Sequence, residues 1–272
     1  MSLSSKEKYK IFKPKKFLGQ NFLTDENISR KIVASLDIKS SDKVIEIGPG
    51  YGALTKFLVN SKCDFIAIEI DRSIAGKLRD KYNGISIIEK DFLDVSLKDL
   101  AGNKKIKIVG NIPYNITSQI LFKFFDDRDV IKMAVVMMQK EVAQRLVATK
   151  GTKNYGILSL NAQIYSDIKK LFTVPPTAFF PKPAVDSMVL SFSFLRKVDF
   201  IKNHSLFREF LRAAFSQRRK TLRNSLKSFF ENYQTNVNSL STDLSRRSES
   251  LAIDEIIDLY NEILSSSHIP NP

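Results

Sequence analysis

Cysteine, histidine and long apolar runs are all scarce in this chain of 272 residues, which contains one cysteine, Cys63, and two histidines. One cysteine cannot form an intramolecular disulfide or a cysteine-based zinc cluster, and the two histidines lie 64 positions apart. The longest uninterrupted apolar run, residues 133–138, has six residues, whereas a transmembrane helix needs about 18. We therefore expect chemistry without a metal or a cysteine pair, and no transmembrane segment.

Acidic residues are outnumbered by basic ones, 29 to 43, which gives a formal net charge of +14. Most of this excess lies in two segments, because residues 1–16 carry +5 and residues 202–227 carry +7. Two basic clusters on one chain indicate a polyanionic partner, although each cluster alone could be a solvated charged segment. Nucleic acid is favoured over a membrane, because no apolar anchor accompanies the clusters. The first sixteen residues also have no apolar core of the kind found in secretory signals, so we expect a cytoplasmic protein.

From residue 43 the apolar pattern alternates strand-like segments with segments of helical length. Five stretches rich in Val and Ile predict a mostly parallel sheet covered by helices on both faces: 43–48, 64–70, 85–91, 105–112 and 132–139. Two further strands, near residues 160–170 and 185–195, predict a closing antiparallel hairpin. The fold class is therefore α/β, with a Rossmann-like sheet.

A change to helical periodicity near residue 203 indicates a second domain. Apolar residues there recur on one helical face, including Leu206, Phe207, Phe210 and Leu211. We predict a catalytic domain over residues 1–200, whose first 16 residues form a basic arm. A small all-helical domain follows over residues 201–272.

The turn after the first strand is rich in glycine and predicts a nucleotide-like cofactor. Gly48, Gly50 and Ala53 match a dinucleotide fingerprint, and Glu69 ends the next strand, where a carboxylate can hold ribose hydroxyls. Both NAD and S-adenosylmethionine present such a ribose, so these residues leave the two open. Glu46, just ahead of the glycines, favours S-adenosylmethionine because its charge repels a pyrophosphate but not a sulfonium or an ammonium.

Asp91 ends the third predicted strand and is the second acidic candidate for a cofactor contact. A carboxylate at that strand end can accept a hydrogen bond from an adenine amino group, which also favours S-adenosylmethionine. The alternative interpretation is a helix cap or a solvated strand end.

The fourth strand runs into the tetrapeptide Asn111, Ile112, Pro113, Tyr114. An exocyclic adenine amine is a poor nucleophile because its lone pair is delocalised into the ring, and it needs acceptors for its two hydrogens. The side-chain oxygen of Asn111 and the carbonyl of Ile112 can be those acceptors, and Pro113 keeps Ile112 extended. Tyr114 offers a face on which a base can stack. The alternative is a structural turn with a packed tyrosine.

Four blocks of this sequence resemble the family of rRNA adenine N6-dimethyltransferases: FLGQNFLTD at 17–25, EIGPGYG at 46–52, NIPYN at 111–115 and FFPKPAVDS at 179–187. The resemblance covers nearly the whole chain and implies S-adenosylmethionine as cofactor, with the first block, residues 17–25, as an amino-terminal cofactor clamp. It places the cofactor contacts on Asn21, Leu23, Gly48, Glu69, Asp91 and Asn111. It also implies that Phe179 stacks on the target adenine opposite Tyr114, with Phe180 as the competing candidate.

The block FSQRRKTLRNSL at 215–226 and the PKPAVDS segment resemble the branch that acts on small-subunit rRNA. Ile112 departs from that branch, which more often has Leu, whereas the large-subunit branch has Ile. The basic run predicts an RNA-following stripe at helical spacing, with a solubilising helix face as the alternative. Its members are Arg218, Arg219, Lys220 and Arg223.

The resemblance implies dimethylation of two adjacent adenosines in the 3′-terminal hairpin loop of small-subunit (16S) rRNA, within a pre-assembled ribosomal subunit and during ribosome biogenesis. We expect a monomer, since nothing in the sequence demands more. A large-subunit (23S) rRNA dimethyltransferase conferring antibiotic resistance is the second hypothesis, and a non-catalytic RNA-binding assembly module is the third. An NAD oxidoreductase ranks last because no Tyr/Lys pair or His is placed as a general acid.

Overall fold

The computed structural model describes residues 19–195 and 197–267. The predicted basic arm over residues 1–16 lies outside these ranges. The described chain forms two compact units. The first, which we call the sheet unit, comprises residues 19–143 and 165–195; the second, the helical unit, comprises residues 144–164 and 197–267.

This division differs from the predicted one, which placed residues 144–164 in the catalytic domain. These residues instead pack with the C-terminal helices of the helical unit. The backbone N–H of Gly151 donates to the carbonyl of Glu249 at 2.8 Å. The ring of Tyr155 packs edge-on against Phe215, with 6.4 Å between centroids. These contacts join residues that are far apart in sequence, so a local apolar pattern cannot reveal them.

The described residues form nine strands, in chain order β1 (Phe22–Leu23), β2 (Lys43–Ile47), β3 (Asp64–Ile68), β4 (Ser86–Ile88), β5 (Ile106–Asn111), β6 (Ile131–Gln139), β7 (Asp167–Val174), β8 (Phe179–Phe180) and β9 (Ser187–Ser193). Seven of them form one sheet in the spatial order β4-β3-β2-β5-β6-β9-β7. Strands β2 to β6 are parallel, whereas β9 is antiparallel to both β6 and β7. The predicted parallel sheet and its antiparallel closure are confirmed.

One predicted strand is wrong over part of its length. Residues 160–165 were expected to begin a strand near 160–170, but they belong to a helix over Ile157–Tyr165, and β7 begins at Asp167. The side-chain amide of Asn161 donates to the carbonyl of Ile157 at 2.8 Å, a contact between residues four apart that the helix creates. The run LSLNAQIY is apolar enough to satisfy either period, and tertiary packing decides between them.

Helices flank the sheet and build the helical unit. In chain order they are α1 (Glu26–Ala34), α2 (Thr55–Leu58), α3 (Arg72–Lys81), α4 (Leu97–Ala101), α5 (Thr117–Asp126), α6 (Lys140–Leu146), α7 (Ile157–Tyr165), α8 (His204–Phe215), α9 (Leu222–Ser225), α10 (Lys227–Asn232) and α11 (Ile253–Ser266). The predicted apolar stripe of α8 is buried at Leu206, Phe207, Phe210 and Leu211. Within the described ranges, no helix combines the length and the apolar character that crossing a membrane requires.

The order of the strands fixes where a ligand can bind. The chain leaves β2 toward β3 and β4 on one side, and then returns to add β5 on the other side. In open parallel sheets, the crevice at such a reversal lies beyond the carboxyl ends of the two strands. The glycine loop follows β2 and the Asn111 tetrapeptide follows β5, so both reach this crevice.

Candidate active site

A cavity of about 280 Å³ lies at the carboxyl ends of β2, β3, β4 and β5. It contains five of the six predicted cofactor contacts: Asn21, Gly48, Glu69, Asp91 and Asn111. The sixth, Leu23, does not line it. Leu23 is a core residue, 3% exposed, beside a smaller adjoining cavity behind the glycine loop. The fold therefore brings together in one place residues from five separate segments of the chain.

The glycine loop leaves free space on the side of the cavity. Gly48 has φ of +59°, and a Cβ placed there would meet no atom within 4 Å. Gly50 has φ of +54°, and a Cβ there would lie 2.9 Å from the ring of Phe22. Gly48 thus keeps the left-handed backbone and an open approach to the main chain, while Gly50 admits the clamp residue Phe22.

Glu69 is held at the cavity wall by the main chain. Its carboxylate accepts hydrogen bonds from the backbone N–H of Gly50, at 3.2 Å, and of Asp71, at 2.9 Å. The residue is 4% exposed, and burial raises the pKa of its carboxyl. The two N–H donors fix the position of the oxygens before any ligand arrives.

The structure corrects the prediction that the negative charge of Glu46 selects the cofactor. Its side chain is buried at 1% exposure and lines the smaller cavity, not the main one. One oxygen accepts from the hydroxyl of Thr55 at 2.7 Å. Burial, with a smaller contribution from the charge of Glu69, raises the pKa of Glu46 to about 8. Near neutral pH this group therefore carries a proton in the free protein.

Asp91 caps a helix, as the alternative interpretation predicted, and its contact with the cofactor stays a prediction. One carboxylate oxygen accepts from the backbone N–H of Leu93 at 2.9 Å and so caps a short 3₁₀ helix over Phe92–Asp94. The residue also lines the main cavity. A capping carboxylate has a second oxygen, which can accept from a ligand.

Hydrogen bonds hold the first three residues of the tetrapeptide, Asn111 to Pro113, where β5 ends. The side-chain amide nitrogen of Asn111 donates to the carbonyl of Asn21 at 2.7 Å, which commits the amide orientation and leaves its oxygen as the acceptor. The backbone N–H of Ile112 donates to the carbonyl of Met137 on β6 at 3.1 Å. The carbonyl of Pro113 accepts from the hydroxyl of Thr117 at 2.9 Å.

Tyr114 lines the cavity beside these groups. Burial raises the pKa of its hydroxyl above the ordinary value of 10.0, so the phenol stays neutral near neutral pH. Its ring can provide a flat apolar surface, but it cannot supply a phenolate base. Among the described residues, no group of three or more His, Cys, Asp and Glu side chains is arranged to hold a metal ion.

Comparison with known proteins agrees with the function that this geometry suggests. The profile of the family described as "Ribosomal RNA adenine dimethylase" matches residues 11–265. The chain belongs to this family. It is therefore an rRNA adenine dimethyltransferase, and the predicted activity is confirmed.

Relatives and solved structures support the family assignment over most of the chain. Two proteins named "Ribosomal RNA small subunit methyltransferase A" are similar: one from Chlorobium phaeobacteroides, 45% identical over 92% of this chain and 93% of its own, and one from Francisella tularensis subsp. novicida, 43% identical over 92% and 97%. A dimethyladenosine transferase from Plasmodium falciparum superposes with a TM-score of 0.75 at 29% identity, covering 91% of this chain and all of that one. The 23S rRNA methyltransferase ErmE shares the fold, with a TM-score of 0.65 at 22% identity over 89% of this chain and 99% of its own.

The segment that the family resemblance assigns to the target base lies against the cofactor clamp. Strand β8 pairs with β1, so that Phe179 is opposite Leu23 and Phe180 is opposite Phe22. Phe179 is 5% exposed within the core of the sheet unit, and Phe180 is half-buried. Neither ring lines the main cavity. The stacking role of Phe179, and the choice between it and Phe180, stay predictions.

Two residues of the cavity received no role from the sequence, although the second lies within the block at 17–25. Ile70 is 48% exposed and lines the cavity directly after Glu69, a position where an apolar side chain can contact a flat ring. Gly19 has φ of +62°, and a Cβ there would lie 2.7 Å from the side-chain oxygen of Asn115. An exposed isoleucine between two carboxylates is a weak signal for the first, and no local signal reveals the second.

The predicted basic stripe is wrong in its geometry. Residues 218–220 form a turn between α8 and α9, and of the four predicted residues Arg223 is the one that lies in a helix. The guanidinium of Arg218 donates to the carbonyls of Lys153, at 2.5 Å, and Thr152, at 3.5 Å. All four residues are exposed, but the guanidinium of Arg218 also contacts the loop before α7.

Proposed function

We propose that this enzyme transfers methyl groups from S-adenosylmethionine to N6 of two adjacent adenosines in the 3′-terminal hairpin loop of small-subunit (16S) rRNA. It acts in the cytoplasm on a pre-assembled subunit, as a step of ribosome biogenesis. The observation that carries the proposal is the fixed amide of Asn111, whose oxygen is left as an acceptor at the cavity wall beside Tyr114. The names of the relatives from Chlorobium and Francisella support the small subunit as the source of the RNA.

The residues present fit the cofactor. Gly48 leaves open space beside its backbone, the fixed carboxylate of Glu69 can accept from ribose hydroxyls, and Asp91 has a second oxygen that can accept from an adenine amino group. Ile70 offers an apolar surface at the same wall. When bound, S-adenosylmethionine supplies an electrophilic methyl group on a sulfonium. The clamp residue Asn21 is held through its carbonyl by Asn111, which connects the cofactor side of the cavity to the catalytic side.

The chain acts on the adenine by orienting it. The oxygen of Asn111 and the carbonyl of Ile112 accept hydrogen bonds from the amine, two before the first transfer and one before the second, which favours a pyramidal nitrogen with an available lone pair. In each transfer the nitrogen would gain the methyl group as the sulfonium becomes a neutral thioether, and the methylated nitrogen would then lose one proton to solvent. The ring of Tyr114 supports the base by stacking. The rate enhancement then comes from orientation and a fixed polar environment. Tyr114 does not contribute as a base, because its raised pKa keeps the phenol neutral.

The RNA must present an accessible adenosine. Removing a base from a stacked helix costs a few kcal/mol, so an adenosine in a loop is a cheaper substrate than one in a duplex. Exposed cations of the helical unit, Arg219, Lys220 and Arg223, can contact the phosphate backbone.

The deciding experiment measures transfer of labelled methyl groups from S-adenosylmethionine to small ribosomal subunits that lack these modifications. We expect N6,N6-dimethyladenosine at two adjacent positions of the 3′-terminal hairpin, identified by nucleoside analysis of RNA fragments. Purified large subunits, treated in parallel, should stay unlabelled. Label confined to the large subunit would contradict the proposed substrate, and no label on either subunit, with cofactor binding intact, would favour a binding module.

A further inference from the structure

A side chain from a distant strand holds the tyrosine of the catalytic tetrapeptide. The hydroxyl of Tyr114 lies 2.6 Å from Oγ of Ser187, and the two residues are 73 positions apart. This distance is near the short end of the range for hydrogen bonds between hydroxyl groups. Tyr114 and Ser187 thus form a specific contact between the segment after β5 and the beginning of β9.

Ser187 is a rigid anchor for this hydrogen bond. Its side chain is completely buried, and its backbone pairs with Gln139 of β6 on one side and Val174 of β7 on the other. The neighbouring Asp186 adds to the restraint, since its carbonyl accepts from the backbone N–H of Lys140 at 3.0 Å. A residue at the start of a strand that is paired on both edges has little freedom to move.

Tyr114 has no such support from its own segment. It lies between the end of β5 at Asn111 and the start of α5 at Thr117, outside regular secondary structure. Its side chain is half-buried and lines the cavity. The ring therefore depends on side-chain contacts for its orientation, and the contact with Ser187 ties it to the central sheet.

We propose that Ser187 is a positioning residue for methyl transfer, whose hydroxyl fixes the plane of the Tyr114 ring against which the target adenine stacks. This inference rests on the stacking role proposed above for Tyr114. Stacking itself needs an aromatic ring and not a hydroxyl. The hydroxyl contributes orientation, and misplacing a reacting group by about 1 Å can cost about 100-fold in rate.

The test compares Ser187→Ala with wild type in steady-state kinetics on whichever RNA the wild-type enzyme methylates. We expect kcat to fall by about 10-fold, with KM for the RNA and Kd for the cofactor unchanged within about twofold. Tyr114→Phe removes the same hydrogen bond without altering β9 and should show the same loss. The double variant should be no slower than either single variant, because both remove one interaction.

A matched control comes from the same strand. Ser191 lies four residues further along β9, on the same face, and is also buried at 6% exposure, so Ser191→Ala should leave kcat unchanged. A wild-type kcat in Ser187→Ala would overturn the inference, as would losses that multiply in the double variant. If Ser187→Ala fails to fold, Tyr114→Phe decides alone, and its unchanged kcat would overturn the inference. A Tyr114→Ala variant with wild-type activity would contradict the stacking role itself, whereas methylation of a different RNA would contradict only the proposed substrate.

Discussion

At the scale of single residues, the cavity holds its polar groups through hydrogen bonds to the main chain. Asn111 donates to the carbonyl of Asn21, and Glu69 accepts from the backbone N–H groups of Gly50 and Asp71. Groups held in this way need not reorganise when charge redistributes during the reaction. Substitutions at these residues should therefore affect the rate more than they affect the fold.

Replacing Asn111 with alanine should lower kcat/KM for the RNA by at least about 100-fold, because one of the two acceptors for the adenine amine is lost. Single-turnover methylation assays measure this loss, and the cofactor Kd is measured alongside because Asn111 also holds the clamp. Asn103→Ala changes an exposed asparagine before β5 and serves as the control. Turnover that survives in Asn111→Ala would contradict the mechanism.

The buried carboxyl of Glu46 predicts a pH-dependent stability. Its pKa rises from 4.5 to about 8 in the folded protein, so the unfolded chain releases this proton at lower pH than the folded one. The contribution of this group to the free energy of unfolding is therefore largest below about pH 4.5 and declines as the pH rises toward 8.

Glu46→Gln should remove that decline. We expect the Tm of the variant, relative to wild type, to rise by at least about 5 °C between pH 5 and pH 8 in the absence of cofactor. Differential scanning calorimetry measures this difference. The exposed substitution Glu231→Gln should leave the pH dependence as it is, and a constant gap between Glu46→Gln and wild type would refute the raised pKa.

At the scale of elements, strand β5 connects the core to the site. It carries a buried cation, Lys107, in its first half, and it ends in Gly110 and Asn111. The strand is paired with β2 and β6 along its length. Changes within β5 should therefore alter both the stability of the sheet and the position of the tetrapeptide.

Gly110 permits the close approach of β5 to β2. A Cβ there would lie 2.8 Å from the carbonyl oxygen of Ile47, its pairing partner, so one strand must shift. We expect Gly110→Ala to lower the free energy of unfolding by about 1–3 kcal/mol in urea denaturation, and to lower activity. Gly76→Ala lies in helix α3 with nothing within 4 Å of the new methyl, so it should be neutral or stabilise by up to about 1 kcal/mol.

The ammonium of Lys107 connects the turn after α1 to the sheet. It donates to the carbonyls of Leu36 and Asp37, at 2.9 and 2.7 Å, and pairs with the carboxylate of Asp42 at 2.7 Å. Both members of the pair are buried, with side chains 5% and 10% exposed. Removing the carboxylate charge leaves a buried cation without its counterion.

Asp42→Asn should therefore lower the free energy of unfolding by about 3 kcal/mol at neutral pH. Burial raises the pKa of Asp42, but the hydrogen bond and charge of Lys107 outweigh it and hold the pKa below 3.8. The difference from wild type should be present above that pH and disappear as the pH falls below it. Asp37→Asn changes an exposed carboxylate and should destabilise the protein much less, and equal losses in the two variants would contradict this role.

At the scale of the whole molecule, the basic excess is the feature that concerns the RNA. Arg219 and Lys220 in the turn after α8, and Arg223 in helix α9, are exposed cations. Arg218 is also exposed, but its guanidinium donates to the carbonyls of Thr152 and Lys153. Phosphate contacts release counterions, so each one that is removed lowers the salt dependence of binding.

Replacing both Arg219 and Lys220 with alanine should weaken RNA binding and flatten the slope of log K against log salt by about 2 units. Lys104→Ala with Lys105→Ala removes the same charge from an exposed loop of the sheet unit and should leave the slope close to wild type. Filter binding over a range of salt concentrations measures both. Identical slopes for wild type and the Arg219/Lys220 variant would remove this turn from the RNA interface.

Much of the sheet unit could be predicted because its signals are local. The five parallel strands and the glycine loop are visible as apolar runs and turn residues within short windows. The helix at 157–165 was missed because its apolar residues also fit a strand. The hydrogen bonds of Arg218 could not be predicted, because their acceptors lie 65 and 66 positions away in the sequence.

Motifs and periodicity were sufficient to predict the family, the order of the strands along the chain and the residue types for the chemistry. Folding in three dimensions buries Glu46 and raises its pKa, directs the oxygen of Asn111 away from Asn21, and brings Ser187 to Tyr114. Burial, amide orientation and side-chain partners arise from atoms brought together across tens of residues. No local pattern encodes them, because packing between distant segments sets them.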